Sequence, residues 1–592
     1  MLNSTSYLKS VRGRAVWLGR LVALAFLVFA LRLFYIQVIQ HDHYVTLAKQ
    51  TQVTKLTIFP ERGTILALDG KNGTTPLVMN ETVYTVYADP QEVTNASKVR
   101  QVVQQVAGGE MVEDSFQYLN DTSRRYLVLA RQVTRTQAEK ILGEELAGVN
   151  VQKGTKRIYP EGSLASQLLG YVNADGEGQY GIEGALNSRL AGTNGLLQSV
   201  TDVRRIPLTI GDDNVEEPAV NGDNLVLSID RNVQYELERS LKEHYDKVQP
   251  TDASAIVMDP STGRIVAMAN YPTYDPNGYS SVTDYKLFQN YTTDNAYEAG
   301  SVMKTLTVAA GINEGAITPT STSPNPNGCT TVDDATICNV VRNGITNPTT
   351  QQTLTYSFNT GAVNVVRSLG GGEINKTARD KLYNYFSNHY RFGSATGIEQ
   401  SGEAEGIIYS PDNEQGNNVR YANMSFGQGM TTTMTQVASA FSAILNGGTY
   451  YRPTLVYGTE NSDATVKEQA PTVVQNNVVS AETSSEMRDL IWHTRYDNSV
   501  NRVVDPAGYA IGGKTGTSQT IDPATGRYSD TETIGSYLGY VSGSTGHTPN
   551  YVIMIRMDYA QGGTFAGSIE ANKMFGEMAR WLINYDGIVP NK

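Results

Sequence analysis

The stretch GSVMKTLTVAAGINEG, residues 300–315, decides how the rest of this 592-residue chain is read. Val302, Leu306, Val308 and Ala309 recur at near-helical spacing, and Gly315 offers a stop, so the pattern predicts a helix opening at Gly300-Ser301 and ending near Gly315. On a helix, residues i and i+3 share a face, which stands Lys304 over Ser301 within reach of a proton transfer. Ser301 in the first turn feels the positive end of the helix dipole, which favours developing negative charge. A lysine acts as a base only when it is partly neutral, and burial or a second cation lowers its pKa in that direction. Alone, a serine and a lysine three residues apart also fit an ordinary helix carrying an exposed lysine.

Two later pieces complete the pattern: Ser357-Phe358-Asn359 and Lys514-Thr515-Gly516. In this order the three specify a serine acyl-transfer site that uses lysine as its base. The third lies in GYAIGGKTGTSQT, where Gly508 through Thr515 also spells a phosphate-loop pattern. That loop needs a helix after it, and the Thr-, Gly- and Pro-rich TGTSQTIDPATGRY that follows has no helical period. The favoured reading is an edge strand beside the serine, with glycines at 512, 513 and 516 letting a substrate backbone approach closely. Lys514 then supplies a positive field, the Thr515 and Thr517 hydroxyls hold a substrate carboxylate, and the backbone N–H groups of Ser301 and Thr517 form an oxyanion hole.

With these motifs in place the chain resembles the penicillin-binding proteins, within them the class B transpeptidases, and among those the division (septal) type. The resemblance runs through nearly the whole chain. Arg62-Gly63-Thr64-Ile65 resembles the first pedestal motif, and RIYPEGSLASQLLGYVNADGEGQYGIEGALN (157–187) the second and third. AIVMDPSTGRIVAMANYPTYDPN (255–277) resembles the strand–turn–strand before the nucleophile, and MSFGQGMTTTMTQVASAF (424–441) the segment between the second and third catalytic motifs. The chain departs from the family in having Ala299 for a usual Pro, Val302-Met303 for a Thr-Phe pair, and a bulky Phe358 inside the second motif. The resemblance implies a peptidoglycan D,D-transpeptidase that cross-links stem peptides ending in D-alanyl-D-alanine and is inhibited by β-lactams. Ser301 is then the nucleophile, Lys304 its base, Ser357 the proton relay to the leaving amine with the catalytic Lys514 nearby, Asn359 the group that orients Lys304 and the substrate amide, and Thr515, Gly516 and Thr517 the substrate edge. No metal or organic cofactor is required. The alternatives are an elongation-type transpeptidase, a β-lactamase or β-lactam sensor, and a non-catalytic divisome scaffold.

Composition agrees. A net charge of −12 argues against nucleic acid as a partner, and the six histidines form no His-Glu-x-x-His pattern. The two cysteines, Cys329 and Cys338 in NGCTTVDDATICN, either close a small disulfide loop or stay free thiols. Lys9, Arg12 and Arg14 precede the apolar run from Ala15 to about Ile39, which is long enough to cross a ~30 Å hydrocarbon core as a helix. The positive-inside rule then places residues 1–14 in the cytoplasm and the bulk of the chain outside the cell membrane. A cleaved signal peptide fits Leu21–Leu31, but no convincing small-residue cleavage site follows.

The expected organisation is therefore a tail (1–14), a single transmembrane helix (15–39), a juxtamembrane helix to about residue 56 with a mixed α/β pedestal (40–220), and the transpeptidase domain (221–592). The fold class is α+β, an antiparallel sheet flanked by helices. ASAIVMDPSTGRIVAM reads as two strands about a turn, and SYLGYVSG and NYVIMIRMDYA as two more. IEANKMFGEMARWLINY reads as a C-terminal helix with Met574, Phe575, Met578, Trp581 and Leu582 on its core face. With no glycan-polymerising domain apparent, a polytopic membrane glycosyltransferase and divisome proteins are the expected partners.

Overall fold

The computed structural model describes residues 4–44, 53–108, 111–200, 215–340, 344–497, 504–521 and 528–590. Contacts divide the chain into two compact units. The first is Met1–Glu61 with Gly192–Asn221. It holds helix α1 (Ser4–Phe34), continued by a wider turn at Tyr35–Ile39. Gly13–Ile39 has a mean hydropathy of 2.3 and buries none of its surface, the profile of a helix that lipid, not protein, solvates. The juxtamembrane helix expected to residue 56 is corrected in part. Residues 45–52 lie outside those described, and Val53–Ile58 is a strand paired antiparallel with Gly195–Val200. Val53, Leu56 and Ile58 interleaved with Thr54, Lys55 and Thr57 give a stretch rich in β-branched residues with no 3.6-residue period, and pairing with the distant Gly195–Val200 makes it a strand.

The second unit, Arg62–Ala191 with Gly222–Lys592, contains the three motifs. Its larger sheet starts with β1 (Ile65–Leu68), β2 (Thr74–Ala88), β3 (Leu127–Val133) and β4 (Val149–Ile158), joined by β5 (Asn224–Asp230). β5 pairs in parallel with β1. One hydrogen-bonded sheet therefore runs from the N-terminal segment into the segment that leads to the catalytic motifs. Residues 86–151 keep a separate core, built on Val86, Val103, Leu129 and Ile141.

The sheet behind the site has the order β7-β6-β14-β13-β12, and its pairings are antiparallel. Its strands are β6 (Asp252–Met258), β7 (Ile265–Tyr271), β12 (Ala510–Ile521), β13 (Tyr528–Ser542) and β14 (Tyr551–Asp558). β8 to β11 are the short strands Cys329–Val332, Ala335–Cys338, Val456–Glu460 and Val466–Glu468. The period of two sorts the five-stranded sheet into two faces. Ala255, Val257, Ile553 and Ile555 meet α2 (Arg231–Val248) and the C-terminal helix α7 (Ala566–Asp586). Ile256, Met258, Val552 and Met554 meet the opposite core, which holds α3 (Met303–Asn313) and α5 (Met434–Leu445). The predicted stripe of α7 is buried at Met574, Phe575, Met578 and Leu582, with Trp581 packed at its margin. Each fully buried side chain of this kind contributes about 1.5–3 kcal/mol. Two further helices complete the set, α4 (Asn359–Leu369) and α6 (Ala481–Tyr496).

Arg62 and the Arg157–Asn187 block, which the sequence set far apart, meet at one buried carboxylate. Glu183 is fully buried and accepts from Arg62 Nε and Arg157 Nε, each at 2.8 Å. Arg62 also donates to Asn187 Oδ1 at 2.7 Å, and Arg157 to Asn80 Oδ1 at 2.9 Å. Removing one partner from such a cluster strands the others without compensation, at a cost of about 3–5 kcal/mol. Glu183→Ala should therefore lower the thermal unfolding midpoint markedly and open residues 62–191 to limited proteolysis. An unchanged midpoint would remove this cluster from the account of what holds the segment.

Candidate active site

Lys304 is the centre of the site. A tight turn at Gly300–Val302 precedes α3, and Lys304 sits in the first turn of that helix, fully buried. Its Nζ lies 2.9 Å from Ser301 Oγ, 2.6 Å from the Ser357 carbonyl, 3.1 Å from Ser357 Oγ and 2.7 Å from Asn359 Oδ1. Burial, and then the positive charge of Lys514, push its pKa well below the ordinary lysine value. A neutral amine has two N–H groups and one lone pair. The Ser357 carbonyl and Asn359 Oδ1 accept only, so they take the two hydrogens and leave the lone pair for the hydroxyl of Ser301. The i, i+3 spacing thus supplies proximity, and the second motif supplies direction.

The second motif achieves this through an unusual backbone. Ser357 has φ +58°, the left-handed region that serine rarely adopts. That conformation lets both the carbonyl and the hydroxyl of one residue face Lys304. Phe358 extends the chain into α4 as its N-terminal flank and is 1 % exposed, against Tyr356 at 5.7 Å between ring centroids. The bulk of Phe358 is absorbed by the core, not presented to the cleft.

The third motif lies on β12, the sheet edge the sequence predicted. Lys514 is 2 % exposed, and burial lowers its pKa to about 7. Its Nζ donates to the Thr515 carbonyl at 3.1 Å and to Thr515 Oγ1 at 3.3 Å, and among the described residues no carboxylate pairs with it. An incoming carboxylate would favour its charged form. Two glycines bring the edge strand against the turn that carries Ser301. A Cβ on Gly516 would meet the Ala299 carbonyl at 3.0 Å, and one on Gly300, whose φ is +63°, would meet the Thr517 carbonyl at 2.8 Å. In an antiparallel pair a residue directs its N–H and C=O to the same side, so the Thr517 N–H also faces the turn of Ser301.

The structure brings Ser301, Lys304, Ser357 and Asn359 into direct contact and sets Lys514, Thr515, Gly516 and Thr517 along the adjoining strand. The Thr517 hydroxyl, expected to face the cleft, instead donates to Ser568 Oγ at 3.1 Å. Ser568 lies in the first turn of α7 and carried no motif that could have singled it out. Glu298 was also missed. Its Oε1 accepts from Gly429 N–H at 2.8 Å and Tyr528 OH at 3.1 Å, which ties the residues before Ser301 to the Gly427–Gly429 turn and the β12–β13 hairpin. Its nearness to Ser301 in sequence was the available signal. Cys329 and Cys338 form a disulfide across the β8–β9 hairpin.

A family model described as Penicillin binding protein transpeptidase domain matches residues 253–579, and one described as Penicillin-binding Protein dimerisation domain matches residues 57–227. Stage V sporulation protein D of Bacillus subtilis is 29 % identical over 589 residues, covering 98 % of this chain and 87 % of that protein. Peptidoglycan D,D-transpeptidase FtsI of Escherichia coli is 26 % identical over 582 residues, covering 96 % and 91 %. A peptidoglycan synthetase from Bifidobacterium adolescentis shares the fold with a TM-score of 0.70 at 24 % identity, covering 91 % of this chain and 98 % of that one. The aztreonam complex of penicillin binding protein 3 from Mycobacterium tuberculosis does so with a TM-score of 0.66 at 23 % identity, covering 91 % and 98 %.

The second cation gives a test with a defined sign. Lys514 lowers the pKa of Lys304, so removing its charge should raise that pKa. Lys514→Met should move the rising limb of the acylation pH profile to higher pH. At neutral pH it should also slow acylation by ~100-fold, the scale on which one aligned electrostatic group acts. Stopped-flow acylation by a fluorescent penicillin across pH reads both effects. A limb that stays in place would separate Lys514 from the titration of the base.

Proposed function

The chain belongs to the penicillin-binding protein transpeptidase family, and from that membership we propose a serine acyl-enzyme mechanism carried by the residues that surround Lys304. The protein is a peptidoglycan D,D-transpeptidase. One observation supports these roles above the others: a fully buried amine whose two hydrogens have carbonyl-type acceptors and whose third contact, at 2.9 Å, is the Ser301 hydroxyl.

Lys304 accepts the hydroxyl proton as Ser301 Oγ attacks the carbonyl carbon of the penultimate D-alanine. The carbonyl oxygen becomes an oxyanion held by the backbone N–H groups of Ser301 and Thr517, donors already in place before charge develops. The C–N bond then breaks. Ser357, 3.1 Å from Lys304 Nζ, passes the proton to the departing amine of the terminal D-alanine, with Lys514 nearby. An amine of a neighbouring stem peptide attacks the ester that remains, gives up a proton along the same route and frees Ser301. Lys514 and Thr515 hold the substrate carboxylate. A β-lactam follows the first half of this path, and its opened ring stays attached to Ser301.

A penicillin should add one covalent adduct to the peptide that carries Ser301, read by intact mass and peptide mapping. Ser301→Ala should take up none, and an adduct persisting on that variant would overturn the nucleophile assignment. Lys304→Ala should fold yet acylate ~10²–10⁴-fold more slowly, the contribution of a positioned base.

Among the described residues one helix, Gly13–Ile39, is long and apolar enough to cross a membrane, and it anchors the protein there. We place residues 1–14 in the cytoplasm on the strength of Lys9, Arg12 and Arg14 before it, and the bulk of the chain on the outer face. We assign the protein to septal synthesis because TVYTVYADPQEV and the Arg157–Asn187 block are more similar to the septal type. Cross-linking needs nascent glycan, so a polytopic membrane glycosyltransferase and divisome proteins are the expected partners. A fluorescent fusion should gather at midcell, and depletion should block septa. Label along the side wall, with rounded cells that still divide, would move the assignment to elongation.

A further inference from the structure

The β8–β9 hairpin has no part in the mechanism above, yet it touches the catalytic asparagine. The carboxamide of Asn359 has two ends that differ in kind, an acceptor oxygen and a donor nitrogen. Oδ1 faces Lys304 at 2.7 Å, while Nδ2 donates to the Cys338 carbonyl at 3.1 Å. If the amide turned over, Oδ1 would oppose that carbonyl, acceptor against acceptor. Nδ2 would then direct an N–H at the lone pair that Lys304 needs for Ser301. The Cys338 carbonyl therefore selects the one orientation in which Lys304 can act as a base.

The next residue extends the same hold. Asn339 is 5 % exposed and binds the first turn of α4 from both ends of its own amide. Its Oδ1 accepts from Thr360 N–H at 3.0 Å, and its Nδ2 donates to Thr360 Oγ1 and to Asn325 Oδ1, each at 3.1 Å. Thr360 follows Asn359, so Cys338 and Asn339 fix two consecutive residues of the catalytic helix start. Two four-residue strands form a marginal hairpin by themselves. Val332 and Ile337 are buried, and Arg367 binds Thr330 Oγ1 and the Thr331 carbonyl, so contacts hold the turn end and the β8 strand. At the open end, where a hairpin frays first, Asn339 N–H donates to the Gly328 carbonyl at 2.8 Å, and beside it Cys338 pairs in register with Cys329 and is cross-linked to it.

We propose that the disulfide-closed β8–β9 hairpin is a positioning element for Asn359: by holding the Cys338 carbonyl and Asn339 in place, it orients the Asn359 amide and keeps the lone pair of Lys304 free for Ser301. The proposal rests on the acyl-enzyme reading above. Cys338 and Asn339 touch no reacting atom and act through Asn359. The charged group acting on Lys304 is Lys514. The hairpin's charged side chains, Asp333 and Asp334, lie at its turn, away from the Cys338 end, and neither is among the groups that shift Lys304, so its influence runs through the amide.

The test compares wild-type protein with Cys329→Ser/Cys338→Ser, both full-length in detergent, by stopped-flow acylation with a fluorescent penicillin between pH 5 and 10. Wild-type acylation with a pH-dependent rise establishes the reaction; its absence would sink the acyl-enzyme reading itself. In the variant the limiting acylation rate should fall by at least ~10-fold, part of the effect of a positioned base. The rising limb should move to lower pH, because an acceptor that favours the ammonium form has been lost. The concentration of penicillin giving half the limiting rate should stay unchanged. A merely structural role would lower the active fraction and leave the limb where it is. Should the double variant fail to fold, wild-type protein reduced with a phosphine and capped with iodoacetamide serves in its place. A folded, opened hairpin with the wild-type limiting rate and limb would overturn the proposal.

Discussion

An amine must lose its charge inside the protein and still point one way, and the rest of the second unit is arranged about that requirement. Burial alone favours the neutral form of Lys304, but a buried amine without partners would be a desolvated polar group at a cost of a few kcal/mol. The site meets both demands with acceptors that cannot donate. The Ser357 carbonyl and Asn359 Oδ1 satisfy the two N–H groups and neutralise nothing. A carboxylate in either place would have held the ammonium and removed the base.

The scaffold follows from the same constraint. Lys304 and Ser301 arrive together on one helical turn, so their relation is local and needs little support. Asn359 arrives more than fifty residues later and Lys514 more than two hundred later, and each needs its own fixture. α3 is buried between α4, α5, α6 and the five-stranded sheet, which places the start of α4 against Lys304. The sheet presents Lys514 from its edge strand, beyond which no further strand pairs among the described residues, leaving room for an extended peptide. Left-handed geometry at Ser357 and the absent side chains at Gly300 and Gly516 are the local concessions that allow three separate segments to meet.

Much of the site was legible because its chemistry uses particular residue types at particular spacings. The helix over Lys304, the edge strand at Lys514 and the four strands and closing helix of the sheet were visible as period 3.6 or period 2. The juxtamembrane segment was read as helix too far, since its strand character depends on a partner, Gly195–Val200, about 140 residues away. Ser568 was invisible, and Glu298 offered only its nearness to Ser301, for a related reason. A serine at a helix start and a glutamate before an alanine are ordinary residues until the fold sets them beside Thr517 and Gly429.

The sequence by itself determined the proposed reacting groups, the order in which they occur, the apolar N-terminal helix and the strand and helix periods, because each is a property of residue type and short-range spacing. Only the tertiary structure decided that Cys329 and Cys338 are joined, that Phe358 turns inward, that the Thr517 hydroxyl faces α7, and which end of the Asn359 amide meets Lys304. The physical reason is common to all four. Each is a choice between orientations of one side chain that the local backbone leaves open, and each is settled by an atom from a distant segment that either completes a bond or removes the space for the alternative.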